Sequence, residues 1–310
     1  MTAAEKLTDV VAGSGARRIA FLGLAKNVGK TTALLAVLAE LAARGVPVGT
    51  TSAGRDGEEF DAITGEPKPR FHLWPGQLVA SAAECFAASE IDSEIVERLP
   101  FHTRFGGIEV RRVRRAGAVE VIGPSTADEL ARTSAALERA GARIVLLDGA
   151  FGRRAFAGGR VADGVVLSIG AAAGGTIERI LARALAAADL VRLPAPDSGA
   201  RERTVPGALT DAALDAIAPT RGETLVVQDF ASVFLSAGAL DRLRRDGVAL
   251  AARRPSRLLA VTTNPTAPGA VPLRAGELFE ATAAAFPGVL VVDLVADLGN
   301  GDRFIFGREK

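Results

Sequence analysis

Tyrosine is absent from these 310 residues, and cysteine, methionine and tryptophan occur once each. A single thiol, Cys85, excludes an intramolecular disulfide framework and any cysteine-built metal cluster. Its surroundings, Ala82-Ala83-Glu84-Cys85-Phe86-Ala87, form an apolar helical pattern, so it reads as a small core residue. His72 and His102 are the only histidines; neither has a spaced Cys or Asp, and each reads as structural. A large charge of one sign is also missing. The net charge is +1 with acids and bases interspersed, which leaves no electrostatic footprint for nucleic acid. No apolar run reaches the roughly 20 residues needed to span a membrane. Met1 to Gly15 lacks the apolar centre of a signal peptide, so a cytoplasmic protein is the expectation.

Lysine is scarce in a way that points somewhere. The chain has 37 basic residues, yet only Lys6, Lys26, Lys30, Lys68 and Lys310 are lysines. Two of these fall in Phe21-Leu22-Gly23-Leu24-Ala25-Lys26-Asn27-Val28-Gly29-Lys30-Thr31-Thr32, which runs from an apolar stretch into a helical pattern. Strand, glycine-bearing loop with Gly-Lys-Thr, then helix is how a chain builds a cradle for nucleotide phosphates. Gly29 lets the backbone approach an anion, and the amides from Asn27 to Lys30 turn inward as donors. The helix N-terminus adds partial positive charge. In that cradle Gly23, Asn27, Val28, Gly29, Lys30, Thr31 and Thr32 would surround the phosphates, with Lys30 on the outer ones and the Thr31 hydroxyl on Mg²⁺. The usual spacing puts the first glycine at position 24, which is Leu here. Either the loop is one residue longer, starting from Gly23, or Leu24 takes the first place.

Apolar residues make up 48% of the chain, enough for a well-packed core in one large α/β domain or two ordinary ones. Continuous apolar runs near 18–22, 46–51, 143–148, 164–169, 224–228, 257–263 and 289–293 alternate with helical patterns at 31–44, 127–140, 175–188, 232–246 and 275–285. This predicts a doubly wound, mainly parallel sheet in a three-layer α/β/α arrangement. Residues 1–15 read as an N-terminal tail. Residues 57–142 break the rhythm and read as an α+β insertion between core strands two and three, over the nucleotide face. Within it the pattern predicts an acidic helix over 89–99 and a hairpin pairing 107–111 with 118–122. The run Arg111-Arg112-Val113-Arg114-Arg115 reads as that hairpin's solvated face. Residues 194–222 read as a mobile connection with one short helix at 211–217.

Further candidates gather at the carboxyl ends of these strands, where ligands of such sheets bind. Asp148 ends an apolar strand and would hold Mg²⁺ directly or through water. Asp56 follows the second strand and would orient a metal-bound or attacking water. Lys26 would donate to the transferred phosphate, although it stands four residues before Lys30. Asn264 follows a late strand and would read the edge of the base. The absence of an Asn-Lys-x-Asp motif favours ATP over GTP. Arg153 and Arg154 lie just past Asp148 and would swing to phosphate or form a solvated turn.

Gly23 through Asp148 resembles the signal-recognition, MinD and dethiobiotin-synthetase branch of P-loop proteins. More narrowly, 23–32, Gly54-Arg55-Asp56-Gly57-Glu58, Val121-Ile122-Gly123-Pro124-Ser125, Asp148-Gly149-Ala150-Phe151-Gly152-Arg153-Arg154 and 162–171 are similar to the P-loop subunit of the lysine 5,6-aminomutase reactivase. The resemblance implies an ATP- and Mg²⁺-dependent ATPase that opens an adenosylcobalamin-dependent aminomutase for cofactor exchange. Its partners would be that enzyme and a second reactivase subunit, with a homodimer left open. A MinD-like membrane role is disfavoured, because Asp302 to Lys310 offers no amphipathic helix. Two other readings stay open: a dethiobiotin-synthetase-like ligase or kinase acting on a small carboxylate or carbamate, with Arg55, Arg153 or Arg154 in a second anion pocket, and a module that senses nucleotide without hydrolysing it.

Overall fold

The computed structural model describes residues 1–53, 70–150 and 158–300. The chain opens with helix α1 (Ala3–Gly13), strand β1 (Arg18–Gly23), helix α2 (Lys30–Ala43) and strand β2 (Val48–Ser52). Next come β3 (Phe71–Leu73), β4 (Leu78–Ala82), α3 (Ala83–Ala87), β5 (Asp92–Thr103), β6 (Gly106–Arg115), β7 (Gly117–Val119) and α4 (Ala127–Arg139). The middle holds β8 (Ile144–Ala150), β9 (Gly164–Gly170) and α5 (Ile177–Val191). A smaller unit carries β10 (Arg201–Thr204), β11 (Leu209–Thr210), α6 (Asp211–Ile217), β12 (Glu223–Val227), β13 (Val233–Phe234), α7 (Ala237–Arg245) and β14 (Ala249–Ala252). The chain then forms β15 (Arg257–Asn264), α8 (Ala275–Ala285), β16 (Leu290–Asp293) and β17 (Leu298–Gly299).

The centre is a ten-stranded sheet in the order β17-β16-β15-β9-β1-β8-β2-β4-β6-β5. From β16 to β4 every pairing is parallel. Strand alternation explains the two helix layers. Ile19 and Phe21 of β1 face one way and pack with Leu7 of α1 and Leu34, Leu38 and Leu41 of α2. Ala20 and Leu22 face the other way, towards Leu137 of α4, Ile180 and Ala184 of α5 and Leu278 of α8. Burying each such leucine or phenylalanine contributes about 1.5–3 kcal/mol, which is why the core strands read as unbroken apolar runs.

Several expectations are corrected by packing. Residues 3–13 are a helix and not a tail: Thr2 and Glu5 form a capping box, and Leu7 and Val11 are fully buried. The predicted acidic helix over 89–99 is largely strand β5, in which Leu99 and Phe101 are buried while Arg98, Pro100 and His102 are exposed. That alternation of period two overrides the helical spacing upstream. Strand β6 pairs with β5 and β4, whereas 117–119 turns away to pair with β3. Charge favours this arrangement: Glu94 of β5 pairs with Arg112 and Arg114 of β6, and Arg98 of β5 pairs with Glu109 of β6. Arg111, Arg112 and Arg114 thus find carboxylates within the sheet, while Arg114 and Arg115 stay exposed, as a solvated face requires. Instead of lying over the carboxyl face, β4, β6 and β5 extend the sheet edge. Finally, 223–227 is a strand but joins a separate parallel sheet, β10-β12-β14, not the central one. Residues 194–222 contain β10, β11 and a helix at 211–217, as expected for the helix.

One bidentate ion pair fixes the start of β1 to α4. Arg18 Nε and Nη2 donate to Glu138 at 2.9 and 2.7 Å. The hydrogen bond from Arg18 holds the Glu138 carboxyl below its ordinary value, against a burial effect that pushes it up. Its stabilisation is present above the ordinary carboxylate value and is lost as pH falls through the lowered one. Glu138→Gln should cost about 1 kcal/mol at neutral pH. In urea titrations that difference should shrink as pH falls below about 4.

Candidate functional site

The loop between β1 and α2 is built around Gly23. A Cβ at this position would lie 2.8 Å from Val28 Cγ2 and 3.3 Å from Lys30 Cδ. The loop folds back over the strand end onto a place only glycine leaves free. Leu24 is still held to the sheet, its amide donating to the Ser168 carbonyl at 3.1 Å. Gly23 is the last residue of β1 and forms the base under Val28 and Lys30, an arrangement compatible with the longer of the two spacings. Asn27 and Gly29 adopt left-handed backbone at φ 60° and 83°. Val28 is buried between them, whereas Lys26 and Asn27 are exposed.

Gly29 is the N-cap of α2 and supplies no side-chain cap, and the first turn holds no acid. Among the described residues no side chain caps the leading amides of the helix, which stand at its positive end. A Ser or Thr hydroxyl caps α1, α4, α5, α6 and α7, whereas α3 and α8 share with α2 the lack of a side-chain cap. At this end Lys30 Nζ donates to Asp148 Oδ1 at 2.5 Å and to Thr31 Oγ1 at 3.1 Å. Thr31 Oγ1 lies 3.4 Å from Asp148 Oδ2. Parallel pairing of β1 and β8 brings Asp148 beside Phe21, with its side chain on the α2 face of the sheet. The Asp148 carbonyl accepts the Ala53 amide at 2.9 Å, which ties the end of β2 to the same spot.

The donor set suits a small hard cation. One carboxylate and one hydroxyl converge, and a lysine ammonium already sits on the carboxylate. No group of three or more His, Cys, Asp or Glu forms a cage among the described residues. Mg²⁺ needs no such cage, since it commonly takes one or two carboxylates and completes its shell with phosphate and water. Beside the loop lies a cleft of about 400 Å³ lined by Asn27, Gly29, Thr32, Asn264, Thr266 and Pro268.

The structure thus brings together Gly23, Asn27, Val28, Gly29, Lys30, Thr31, Thr32, Asp148 and Asn264. Lys26 belongs to the same loop but is exposed. Asp56, Arg55, Arg153 and Arg154 lie outside the described residues, as do the similar segments 54–58 and 151–154 in whole or part. His72 packs edge-on to Trp74, with ring centroids 4.9 Å apart. One residue escaped the sequence reading altogether. Arg183 of α5 donates through Nη2 to the Leu24 carbonyl at 3.3 Å and through Nη1 to the Ala173 carbonyl, pinning the loop from outside. Nothing local marks it among the many arginines. No helix among the described residues is long and apolar enough to cross a membrane. Compared with known proteins, the chain matches no family model and no curated protein sequence.

Proposed function

We propose that this chain is a P-loop NTPase, an ATP-binding, Mg²⁺-dependent ATPase that couples hydrolysis to conformational change in a protein partner. The observation that carries the reading is the meeting of Lys30, Thr31 and Asp148 at the uncapped start of α2, under a loop folded onto Gly23. The loop amides and Lys30 hold the phosphates; Thr31 and Asp148 hold the metal. Mg²⁺ bound there neutralises charge on the phosphates. Lys30, which here sits on Asp148, would be the group that contacts phosphate oxygens, and the Asp148 carboxylate would then be open to Mg²⁺. The cleft beside Thr32 and Asn264 takes the base and ribose. Asp56 orients water and Lys26 assists the transferred phosphate. The partner, by resemblance of the segments named above, is an adenosylcobalamin-dependent aminomutase undergoing cofactor exchange with a second reactivase subunit.

Calorimetry with ATP, with and without Mg²⁺, tests the core of this reading. The wild type should bind Mg·ATP more tightly than ATP alone. Thr31→Ala should lose about tenfold of that metal-dependent gain, the worth of one good hydrogen-bonded ligand. Equal binding with and without Mg²⁺ in the wild type would remove the metal role. ATP turnover that rises with a purified aminomutase supports the partner assignment; turnover that rises with a small carboxylate and no protein supports the ligase reading instead.

A further inference from the structure

Asn264 stands where a side chain would be expected to read a nucleotide base, yet its amide is already spent. Its Nδ2 donates to the Asn27 carbonyl at 3.1 Å. Its Oδ1 accepts from the Thr266 amide and the Thr266 hydroxyl, both at 3.2 Å. A carbonyl oxygen has two lone pairs and an amide nitrogen two protons, so one N–H is all that remains. Bidentate reading of an adenine edge needs a donor and an acceptor together. Asn264 has no acceptor left to give.

What the residue touches is the loop. Asn27 is in the left-handed region at φ 60°, an orientation that turns its carbonyl towards Asn264. A Cβ on Gly29 would meet Asn264 Cβ at 3.4 Å and Nδ2 at 3.5 Å, so the side chain lies against the loop at two successive turns of backbone. From behind, Asn264 is clamped to the sheet. It pairs with Gly170 in register, and a Cβ on Gly170 would fall 2.3 Å from the Asn264 carbonyl. The chain Gly170, Asn264, Asn27 transmits the rigidity of β9 and β15 to the loop.

We infer that Asn264 is a positioning residue for the glycine loop: it holds the backbone of 27–29 in its anion-ready shape and does not select the base. The inference rests on the nucleotide reading above and says which part of the ligand feels this residue. Preorganised donors need no rearrangement when the anion arrives, so loss of the strut should weaken every ligand that carries the phosphates.

The probe is inorganic tripolyphosphate, which has no base, compared with ATP and GTP by calorimetry in the presence of Mg²⁺. Asn264→Ala should weaken tripolyphosphate, ATP and GTP by one common factor, about tenfold, and leave the ATP to GTP ratio unchanged. Asn264→Ser, too short to reach the Asn27 carbonyl, should give the same pattern and serves where the alanine protein does not fold. A loss confined to ATP, with tripolyphosphate affinity intact, would overturn the inference and make Asn264 a base reader. Unchanged affinity for all three would overturn it as well. Failure of the wild type to bind either tripolyphosphate or ATP is a different result, and it sinks the nucleotide reading itself.

Discussion

Lys30→Ala is expected to lower ATP affinity by about 100-fold or more, since one charge-assisted contact to phosphate is worth roughly 3 kcal/mol in a partly enclosed site. It should also destabilise the ligand-free protein. Lys30 and Asp148 are only 17% and 6% exposed, and removing the ammonium leaves the carboxylate nearly buried without its cation. Breaking a fully buried pair costs about 3–5 kcal/mol; with Thr31 still beside Asp148 and a cleft nearby, about 2 kcal/mol is reasonable here. The two effects separate in a further variant. Lys30→Met with Asp148→Asn removes both charges, so urea midpoints should return towards the wild type while ATP binding stays lost. Mg²⁺ alone should raise the midpoint of Lys30→Ala more than that of the wild type, because the carboxylate is no longer covered. Unchanged ATP affinity in Lys30→Ala would leave the proposed function without its main support.

How far the sequence reaches depends on whether a feature is written locally. Gly29, Lys30 and Thr31 are neighbours in the chain, and their chemistry follows from strand, loop and helix in succession. Asp148 is legible as the acid that follows an apolar run, although it does not close the strand: β8 continues through Gly149 to Ala150. Gly23 is ambiguous in the sequence because what requires a glycine there is Val28, five residues on, folding back onto it. Asn264 could be found by its place at the end of an apolar strand, but its bond to Asn27 could not, since that bond spans 237 positions. Arg183 resembles any other helix arginine in sequence, because its contact with Leu24 spans 159 positions. The same limit applies to the fold. An apolar run reveals that 223–227 is a buried strand but not which sheet receives it. For β5, the helical spacing of 89–99 stopped one residue before Pro100, and the alternation that decides the matter runs through Leu99 and Phe101.

Gly123→Ala should be the most damaging small substitution in the fold. Strands β2 and β4 pair only at Gly49 with Leu78 and Thr50 with Val79. Beyond that point residues 120–123 come between their ends. Ser52 Oγ donates to the Val121 carbonyl at 2.8 Å and accepts the Gly123 amide at 3.1 Å, while the Ala82 amide donates to the Ile122 carbonyl at 3.0 Å. A Cβ on Gly123 would fall 1.8 Å from the Ser52 carbonyl and 2.9 Å from Thr51 Oγ1. Among the described residues Thr51 Oγ1 is buried without a hydrogen-bond partner. Backbone cannot give way as a flexible side chain does, and the cost should reach about 3 kcal/mol or more, at the upper end for overpacking. Ser52→Ala is the milder comparison: it removes two hydrogen bonds without a clash and should cost about 1–2 kcal/mol. Both are read from urea denaturation. The damage should spread to the site, because displacing Ser52 pulls on Ala53, whose amide is bonded to the Asp148 carbonyl. In whatever fraction of Gly123→Ala still folds, Mg²⁺-dependent ATP affinity should fall while Ser52→Ala retains it. An alanine protein as stable as the wild type would mean that 120–123 does not run between β2 and β4, and the route from that edge of the sheet to Asp148 would go with it.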